Sequence, residues 1–428
     1  MSRLALMGGI KTIDRAFTPY QSIGTEEAEA VKAVMETGVL SKFYGSWDPD
    51  FYGGEKIREL ERAWADYFEV KHAVSVNSNT SGLIAAIGAV GIEPGDEVIV
   101  SPWTMSASAT AILIWNAIPV FADIESETFN LDPASIERNI TSYTKAIMVT
   151  DIFGHAADLD SIMAIAKKHN LKVVEDCAQA PGARYHDKFA GTVADIGVFS
   201  LNYHKHIHTG EGGVCVTNDD FLAERMQLIR NHAEAVVQDK GTEDLSNMIG
   251  FNFRMTEIGA AIGIEQLKKL PSLVRRKMEI AGRLSRKLQG LKGLRTPVVK
   301  EDCTHVYYVY PLLYTPEETG IARELTVKAL RAEGVPASGG YLNLHLLPMY
   351  QKRIAYGSKG FPWTGEFYRG AVSYDKGICP VAEELHDAKY LNLNMSFYDY
   401  TDQEADLVAG AFKKVWGNLD QLRDHLKA

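Results

Sequence analysis

The hydrophobic and polar positions of the first 220 residues follow two alternating patterns. Apolar residues recur at helical spacing over 54–68, at Ile57, Leu60, Trp64 and Phe68, and this predicts an amphipathic helix. Further helical patterns open at Thr25 and cover 83–90 and 158–169. Short continuous apolar runs predict buried strands. These runs are 72–76, 97–100, 119–122, 146–150, 171–175, 196–200 and 213–217.

Strands that alternate with helices indicate an α/β fold with a mostly parallel sheet covered by helices on both faces. After Pro271 the pattern changes, and the following elements predict a smaller α+β domain. They are a basic helix at about 272–289, a strand at 305–314, and helices at 321–333 and 402–416. We therefore predict a large domain over 1–270 and a small one over 271–428. Residues 334–400 are rich in aromatics, glycine and proline and predict no particular element.

The composition of the 428 residues narrows the class of protein. A net charge of −10 without a basic block argues against nucleic acid as a partner. No apolar run approaches the ~18 residues of a membrane span, and the N-terminus does not look like a signal peptide. The four scattered cysteines have neither metal-site nor disulfide-framework spacing. We expect a cytoplasmic protein that binds neither membrane nor nucleic acid.

Two polar segments follow predicted strands and could carry chemistry. Residues 77–82 (Asn-Ser-Asn-Thr-Ser-Gly) precede an apolar helix, and a helix N-terminus with small polar residues suits a phosphate group. A plain helix cap is the alternative. Asp176 directly follows the predicted strand at 171–175, and Gln179 lies three residues later. A buried acid needs partners, so Asp176 either serves a ligand or caps the next turn.

The segment 201–213 holds one lysine, Lys205, among three histidines and several glycines. His204, His206 and His208 alternate, as metal ligands on an extended chain would. No acid or cysteine with zinc spacing accompanies them, so we predict no metal site and expect solvated or substrate-lining histidines. The glycines at 210–213 lack dinucleotide-binding spacing and lead into a strand. They are expected to allow a tight turn beside a bulky ligand.

A phosphate cradle, an acid and a lysine in this order fit pyridoxal phosphate. That cofactor needs an amine for a Schiff base, an anion against its pyridine nitrogen, and donors for its phosphate. Each feature alone is weak, but the order and spacing together predict this cofactor.

Motifs along nearly the whole chain carry a family resemblance. They include 78–83 (SNTSGL), 101–104 (SPWT), 175–180 (EDCAQA), 210–213 (GEGG) and 252–257 (NFRMTE). In these the sequence resembles the DegT/DnrJ/EryC1/StrS aminotransferases. The resemblance implies a fold type I pyridoxal phosphate enzyme, with a mostly parallel central sheet in the large domain and a smaller C-terminal α+β domain.

The resemblance also implies roles around the cofactor ring. Lys205 would form the Schiff base, and Asp176 would bind the pyridine nitrogen. Gln179 would lie beside the ring, and Trp103 would stack on the ring's other face. Catalysis is thereby assigned to Lys205 and Asp176.

At the cofactor phosphate, the family pattern implies contacts from Asn79, Thr80 and Ser200. Asn252 would reach the phosphate from the neighbouring subunit, which implies a homodimer with shared active sites. Arg254 would meet the carboxylate of the amino donor.

The sequence departs from the family in several places. Asn79 stands where glycine or alanine is usual, and Asp151 stands where a histidine is common. Residues 234–248 and 351–378 follow no family pattern. These departures bear on the substrate more than on the cofactor.

The predicted function is transfer of an amino group from L-glutamate or L-glutamine to a keto sugar, and the favoured acceptor is a nucleotide-linked one. Tyr203, His204 and His206 surround the lysine with groups that suit sugar hydroxyls, although such aromatics also fill protein cores. A keto cyclitol or a sugar phosphate is the main alternative substrate. A sugar dehydratase would replace Lys205 by histidine, a non-catalytic regulator would lack the lysine or carry a DNA-binding domain, and a nicotinamide oxidoreductase would need a glycine fingerprint.

Overall fold

The strands are the framework of the fold. The structure is a computed structural model and describes residues 3–425. The strands are β1 (His72–Val76), β2 (Glu97–Val100), β3 (Ile118–Phe121), β4 (Thr144–Thr150), β5 (Lys172–Asp176), β6 (Arg184–Tyr185), β7 (Lys188–Phe189), β8 (Ile196–Ser200), β9 (Gly213–Thr217), β10 (Leu294–Arg295), β11 (Val309–Tyr314), β12 (Ala337–Gly339) and β13 (Tyr390–Asn394). All seven predicted strands before residue 220 are present, within two residues of their predicted bounds.

Seven of these strands form the central sheet, in the order β1-β9-β8-β5-β4-β2-β3. The five strands from β8 to β3 are parallel, and β9 runs antiparallel to both of its neighbours. Along β2, Val98 and Val100 belong to one hydrophobic core and Ile99 to the other. Burial on both faces explains why the strands are continuous apolar runs. The predicted α/β class is confirmed.

Helices cover both faces of this sheet and complete the chain. They are α1 (Thr25–Thr37), α2 (Glu55–Phe68), α3 (Asn79–Ala89), α4 (Ser106–Ile114), α5 (Pro133–Asn139), α6 (Leu159–His169), α7 (Asp220–Arg230), α8 (Val237–Lys240), α9 (Glu257–Leu288), α10 (Pro316–Thr319), α11 (Arg323–Ala332), α12 (Pro348–Lys352), α13 (Pro380–Glu384), α14 (Asp402–Trp416) and α15 (Leu419–His425). Short 3₁₀ turns lie at Ala5–Met7, Pro49–Tyr52, Ile152–Gly154, Ala233–Ala235 and Leu344–Leu346, and a π-helical turn lies at Leu385–Lys389. Within residues 3–425, no helix is long and apolar enough to cross a membrane.

Two of the predicted helices begin elsewhere. Helix α3 starts at Asn79 rather than Leu83, because the Ser78 hydroxyl accepts a hydrogen bond from the backbone N–H of Ser81 and caps the helix there. The helix predicted from residue 272 is the second half of α9, which runs through Pro271 without a break. The proline marks no boundary of an element, so the division of the chain at 270/271 stays a prediction.

The second sheet is antiparallel, in the order β10-β11-β13-β12. It packs with α11, α14 and the second half of α9 around a separate hydrophobic core. Leu4 and Ile13 lie in the same core, and Glu333 accepts hydrogen bonds from the backbone N–H groups of Ala5 and Thr12. The N-terminal segment, which we had grouped with the large domain, therefore packs against the second sheet.

The segment 351–378 lies against the outer edge of the central sheet. Three phenol groups attach it there. Tyr356 donates to the carbonyl of Leu113, Tyr368 to the Glu97 carboxylate and Tyr374 to the carbonyl of Pro119. The aromatics of this segment are therefore used in packing.

Candidate active site

A cavity of about 440 Å³ lies where the carboxyl ends of β5 and β8 meet the N-terminus of α3. Ligands of open α/β sheets bind outside the carboxyl ends of parallel strands. The opposite wall comes from the second sheet and the residues before it: Tyr308, Ser338, Asn392 and Asn394. The cavity is therefore built between the two sheets.

Lys205 reaches this cavity from the loop after β8. The backbone N–H of Lys205 donates to the carbonyl of Asn202 and turns the chain inward. The side chain is 8% exposed, and its Nζ lies 4.4 Å from the centre of the Tyr308 ring. Burial lowers the pKa of Lys205 to about 8, although the charge of Asp176 opposes this shift. An amine with such a pKa is a good nucleophile near neutral pH.

Asp176 is the last residue of β5 and is buried at the floor of the cavity. Its carboxylate accepts hydrogen bonds from the Ser108 hydroxyl (2.8 Å), the Ala178 backbone N–H (3.2 Å) and the Asn79 amide (3.3 Å). Burial raises the pKa of Asp176, and these donors and Lys205 limit the shift. Neutral hydrogen-bond donors thus hold the carboxylate of Asp176 in place. A binding site for a protonated pyridine nitrogen requires such an acid.

The first turn of α3 places Asn79, Thr80 and the free backbone N–H groups of the helix in the cavity wall, with Ser200 of β8 beside them. Gly213 is required here, because a Cβ at that position would lie 2.9 Å from the backbone nitrogen of Asn79. The glycine makes room for the helix N-terminus; we had expected it to make room for a ligand. This donor set suits a phosphate.

Gln179 also lines the cavity, and its Oε1 accepts a hydrogen bond from the Phe153 backbone N–H at 2.8 Å. One cavity is thus lined by Lys205, Asp176, Gln179 and the N-terminus of α3. The Oδ1 atom of Asn79 is buried and has no hydrogen-bond partner within residues 3–425. The hydrogen-bond donors of the cavity, together with this unpaired oxygen, fit pyridoxal phosphate.

Trp103 lies outside the cavity wall, which corrects its predicted place on the cofactor ring. Its indole is fully buried, and Nε1 donates to Asn343 Oδ1 at 2.7 Å. It packs in a cluster with Phe129 and Tyr390. Met105, two residues later, lines the cavity and is 66% exposed. The motif located the right loop, but hydrogen bonding to Asn343 turns the indole into the core.

The histidines next to Lys205 do not share one face, because the loop turns instead of extending. His204 lines the cavity, and burial lowers its pKa to about 4. His206 is 1% exposed and its Nε2 lies 2.8 Å from the carbonyl oxygen of Val306, so it is a core residue and cannot contact substrate. Tyr203 points outward and does not line the cavity. Of these three predicted substrate-binding residues, only His204 is in place.

Asn252 and Arg254 do not line the cavity of their own chain either. Asn252 is exposed, and its Oδ1 accepts a hydrogen bond from Arg254 Nε at 2.8 Å. A contact with a cofactor in a second subunit is compatible with this exposure and is treated below as a proposal.

The aromatic-rich segment 334–400 could be expected to line a wide cleft, but sequence reasoning named none of the individual cavity residues of the second sheet, notably Tyr308, Asn392 and Asn394. They lie more than 100 residues after Lys205, and no local motif announces them. Ser108 was also missed. Its only signal was its place in the first turn of a helix beside a strand end.

Behind Asp176 lies a buried cluster of Asp151, Glu175 and Cys177, whose potential ligand atoms lie within 4.8 Å of one another. The Cys177 thiol donates to Asp151 at 3.1 Å, and backbone N–H groups of Gly191 and Ala194 donate to Glu175. Burial raises the pKa of Asp151 to about 6, and burial and the neighbouring Asp151 raise the pKa of Glu175. A proton shared by the two carboxyl groups explains their proximity.

The comparisons with known proteins agree with this site. The DegT/DnrJ/EryC1/StrS aminotransferase family matches residues 21–387. GDP-perosamine synthase of Caulobacter vibrioides is 40% identical over 298 residues, which cover 69% of this chain and 79% of that protein. L-Glutamine:2-deoxy-scyllo-inosose aminotransferase of Micromonospora echinospora is 32% identical over an alignment of 436 positions, which covers 99% of this chain and 100% of that protein.

Among solved structures, an aminotransferase from Psychrobacter cryohalolentis superposes with a TM-score of 0.79 at 28% identity, over 95% of this chain and 100% of that chain. The family match, the fold and the lysine-centred cavity lead to one conclusion. The chain belongs to the DegT/DnrJ/EryC1/StrS aminotransferase family and is a pyridoxal phosphate-dependent aminotransferase of fold type I.

Proposed function

We propose that the enzyme transfers an amino group from L-glutamate or L-glutamine to the keto group of a nucleotide-linked sugar. The observation that carries this proposal is the neutral, hydrogen-bonding wall beside Lys205. Amide and hydroxyl side chains dominate the part of that wall that comes from the second sheet: Ser338, Tyr341, Asn392 and Asn394. Such groups suit a ring with several hydroxyls, whereas a small apolar keto acid would leave those without a protein partner, such as the Asn394 NH₂ group, unpaired.

In this proposal Lys205 moves the proton. The cofactor supplies an electron sink for the carbon that loses its proton. Lys205, with a pKa near 8, alternates between holding a proton on Nζ and releasing it at pH 7–8. The buried position of Lys205 excludes water from this transfer.

Other residues bind and orient. Asp176 keeps a proton on the pyridine nitrogen, and Gln179 lies beside the ring. The first turn of α3, with Asn79 and Thr80, and Ser200 hold the phosphate. These roles are supported by the shared cavity and by the donor set of the Asp176 carboxylate.

We also propose a homodimer in which Asn252 completes the phosphate site of the partner and Arg254 binds the donor carboxylate. Both residues lie outside their own cavity, and the described part of the cavity wall contains no arginine that could bind a carboxylate. The four free cysteines favour a reducing compartment such as the cytoplasm.

A keto cyclitol is the second candidate for the substrate. The inosose aminotransferase matches 99% of this chain, whereas the perosamine synthase matches 69%. Lys205 is also the one cationic lysine or arginine that lines the cavity within residues 3–425, so one subunit alone offers no evident partner for a diphosphate.

Steady-state kinetics separate the candidates. We would compare kcat/KM for a GDP-linked 4-keto-6-deoxyhexose, the same keto sugar without its nucleotide, and 2-deoxy-scyllo-inosose, each with glutamate and with glutamine. A large preference for the nucleotide-linked sugar is expected. Equal values with and without the nucleotide would reject the nucleotide-sugar assignment, and a preference for the inosose would establish the cyclitol.

A further inference from the structure

Asn394, at the end of β13, has a side-chain amide of fixed orientation. Its Oδ1 accepts hydrogen bonds from the backbone N–H groups of Ser396 (3.0 Å) and Phe397 (3.1 Å) and from the Ser396 hydroxyl (2.9 Å). Since a backbone N–H only donates, the oxygen must face this turn and the NH₂ group must face away from it.

The NH₂ group of Asn394 is available to a ligand. Asn394 lines the active-site cavity, and within residues 3–425 no side chain or carbonyl accepts a hydrogen bond from its Nδ2. The second sheet thus presents a fixed hydrogen-bond donor to the cavity.

Asn202, on the loop that carries Lys205, has the opposite polarity. Its Nδ2 donates to the Glu211 carboxylate at 2.9 Å. A carboxylate only accepts, so the amide nitrogen is fixed on that side and Oδ1 faces the other way. This Oδ1 is buried and has no partner within residues 3–425, and Asn202 also lines the cavity.

Asn394 therefore offers a fixed donor to the cavity, and Asn202, which also lines it, holds a fixed acceptor that is enclosed and lacks a partner within residues 3–425. A carboxylate can accept from Asn394 but cannot donate to Asn202. A hydroxyl group both donates and accepts, so a ring with several hydroxyls can satisfy both residues. The carboxylates of L-glutamate only accept hydrogen bonds and cannot serve Asn202, so L-glutamate, and not L-glutamine with its side-chain amide, is the amino donor to use in the test.

We propose that Asn394 and Asn202 are specificity-determining residues that recognise hydroxyl groups of the acceptor ring, with Asn394 donating and Asn202 accepting. This inference rests on the proposed function, because it assumes a polyhydroxylated acceptor. It predicts that substitution of either residue lowers the rate of the half-reaction with the acceptor. The rate of the half-reaction with the amino donor should change much less.

The test pairs protein variants with deoxy acceptors. Asn394→Ser keeps a side-chain oxygen near the turn at Ser396 but removes the NH₂ donor without adding charge. Asn202→Ala removes the acceptor. Asn139→Ala is the matched control, because Asn139 lies in α5 and does not line the active-site cavity. Unchanged melting temperatures would show that all three variants fold normally.

The probes are scyllo-inosose and a GDP-linked 4-keto-6-deoxyhexose, each compared with analogues in which one hydroxyl is replaced by hydrogen. The wild-type enzyme is expected to lose about 10- to 100-fold in kcat/KM for the analogue that lacks the recognised hydroxyl. Asn394→Ser should lose a similar factor for the full acceptor and should no longer distinguish it from that analogue. Release of 2-oxoglutarate from glutamate in a single turnover should fall by less than about threefold.

Two outcomes would overturn the inference. One is equal loss in both half-reactions, which would show a general structural role. The other is hydroxyl discrimination that persists in Asn394→Ser and Asn202→Ala. Failure of the wild-type enzyme to aminate either acceptor would reject the proposed function as well, whereas normal amination with unchanged discrimination in the variants would reject this inference alone.

Discussion

The side-chain amide of Asn79 donates a hydrogen bond to the carboxylate of Asp176, with 3.3 Å between Nδ2 and Oδ1. The contact links the helix N-terminus that we propose for the phosphate with the acid that we propose for the pyridine nitrogen. It lowers the pKa of Asp176 and so offsets part of the effect of burial. At a position where the family resemblance leads us to expect glycine or alanine, this chain thus supports its buried acid with a further donor.

We predict that Asn79→Ala weakens cofactor binding. Without the amide, the ionised form of Asp176 loses a donor, and a hydrogen bond to a charged group contributes roughly 1–3 kcal/mol. The dissociation constant of pyridoxal phosphate should rise by about tenfold. Titration of the apoprotein followed by absorbance measures it, and Asn139→Ala, in a helix away from the cavity, should leave it unchanged.

Lys205 is expected to carry the cofactor covalently. Borohydride reduction followed by peptide mapping should place the adduct on this residue, and Lys205→Ala should abolish turnover. In the apoprotein, labelling of Lys205 by an amine-selective reagent should rise with pH and reach half its maximum near pH 8, because burial lowers its pKa to about that value. An adduct on another lysine would contradict the assignment.

The buried carboxyl pair makes stability depend on pH. The pKa of Asp151 is raised from 3.8 to about 6, so the folded protein binds this proton more tightly than the unfolded chain. The resulting stabilisation is complete below pH 3.8, is lost as the pH rises through 6, and is absent at pH 8.

Asp151→Asn should therefore stabilise the protein at pH 8, by roughly 1–3 kcal/mol, because no buried charge has to form. The gain should shrink at pH 5, where Asp151 is largely protonated in the folded state. Urea unfolding at the two pH values measures the difference. The exposed Asp239→Asn is the control, and an equal gain at both pH values would argue against a titrating Asp151.

Substitutions at Trp103 and Met105 should have opposite effects on the free energy of unfolding and on cofactor binding. Trp103→Phe removes the indole donor to Asn343 and should lower the free energy of unfolding by about 2–4 kcal/mol, while the cofactor dissociation constant changes little. Met105→Ala, at an exposed cavity position, should weaken cofactor binding by about 3- to 10-fold with no loss of stability. The reverse result would restore Trp103 as the stacking residue.

Shared active sites should be detectable by complementation. If Asn252 serves the partner's phosphate site, Lys205→Ala and Asn252→Ala homodimers are both inactive. Mixed dimers then contain one site with an intact lysine and an intact Asn252, so mixing the two proteins should restore up to half of the wild-type activity per mixed dimer. A fully active monomer at nanomolar concentration would exclude this arrangement.

Local patterns predicted the strands of the central sheet well. β1, β2, β8 and β9 have their predicted bounds, because strands buried on both faces must be apolar throughout. Pro271 was misread, since a proline reads as a helix boundary, yet α9 tolerates it within 32 residues of helix.

Side-chain direction was harder to predict than position. Lys205 and Asp176 both line the cavity, Asp176 at the end of β5 and Lys205 on the loop after β8, and their catalytic roles stay predictions. It misplaced Trp103 and His206, whose directions depend on Asn343 and Val306, more than 90 residues away. The wall that contains Asn394 was missed for the same reason.

The segment 351–378 also packs beside the last strand of the central sheet. β3 is the last strand of the central sheet, and an open strand edge is a template for association with another chain. Here Pro119 offers no N–H, and its carbonyl accepts the Tyr374 phenol at 2.8 Å. A variant that lacks residues 351–378 would expose the edge of β3. We expect this variant to aggregate even if its active site were intact.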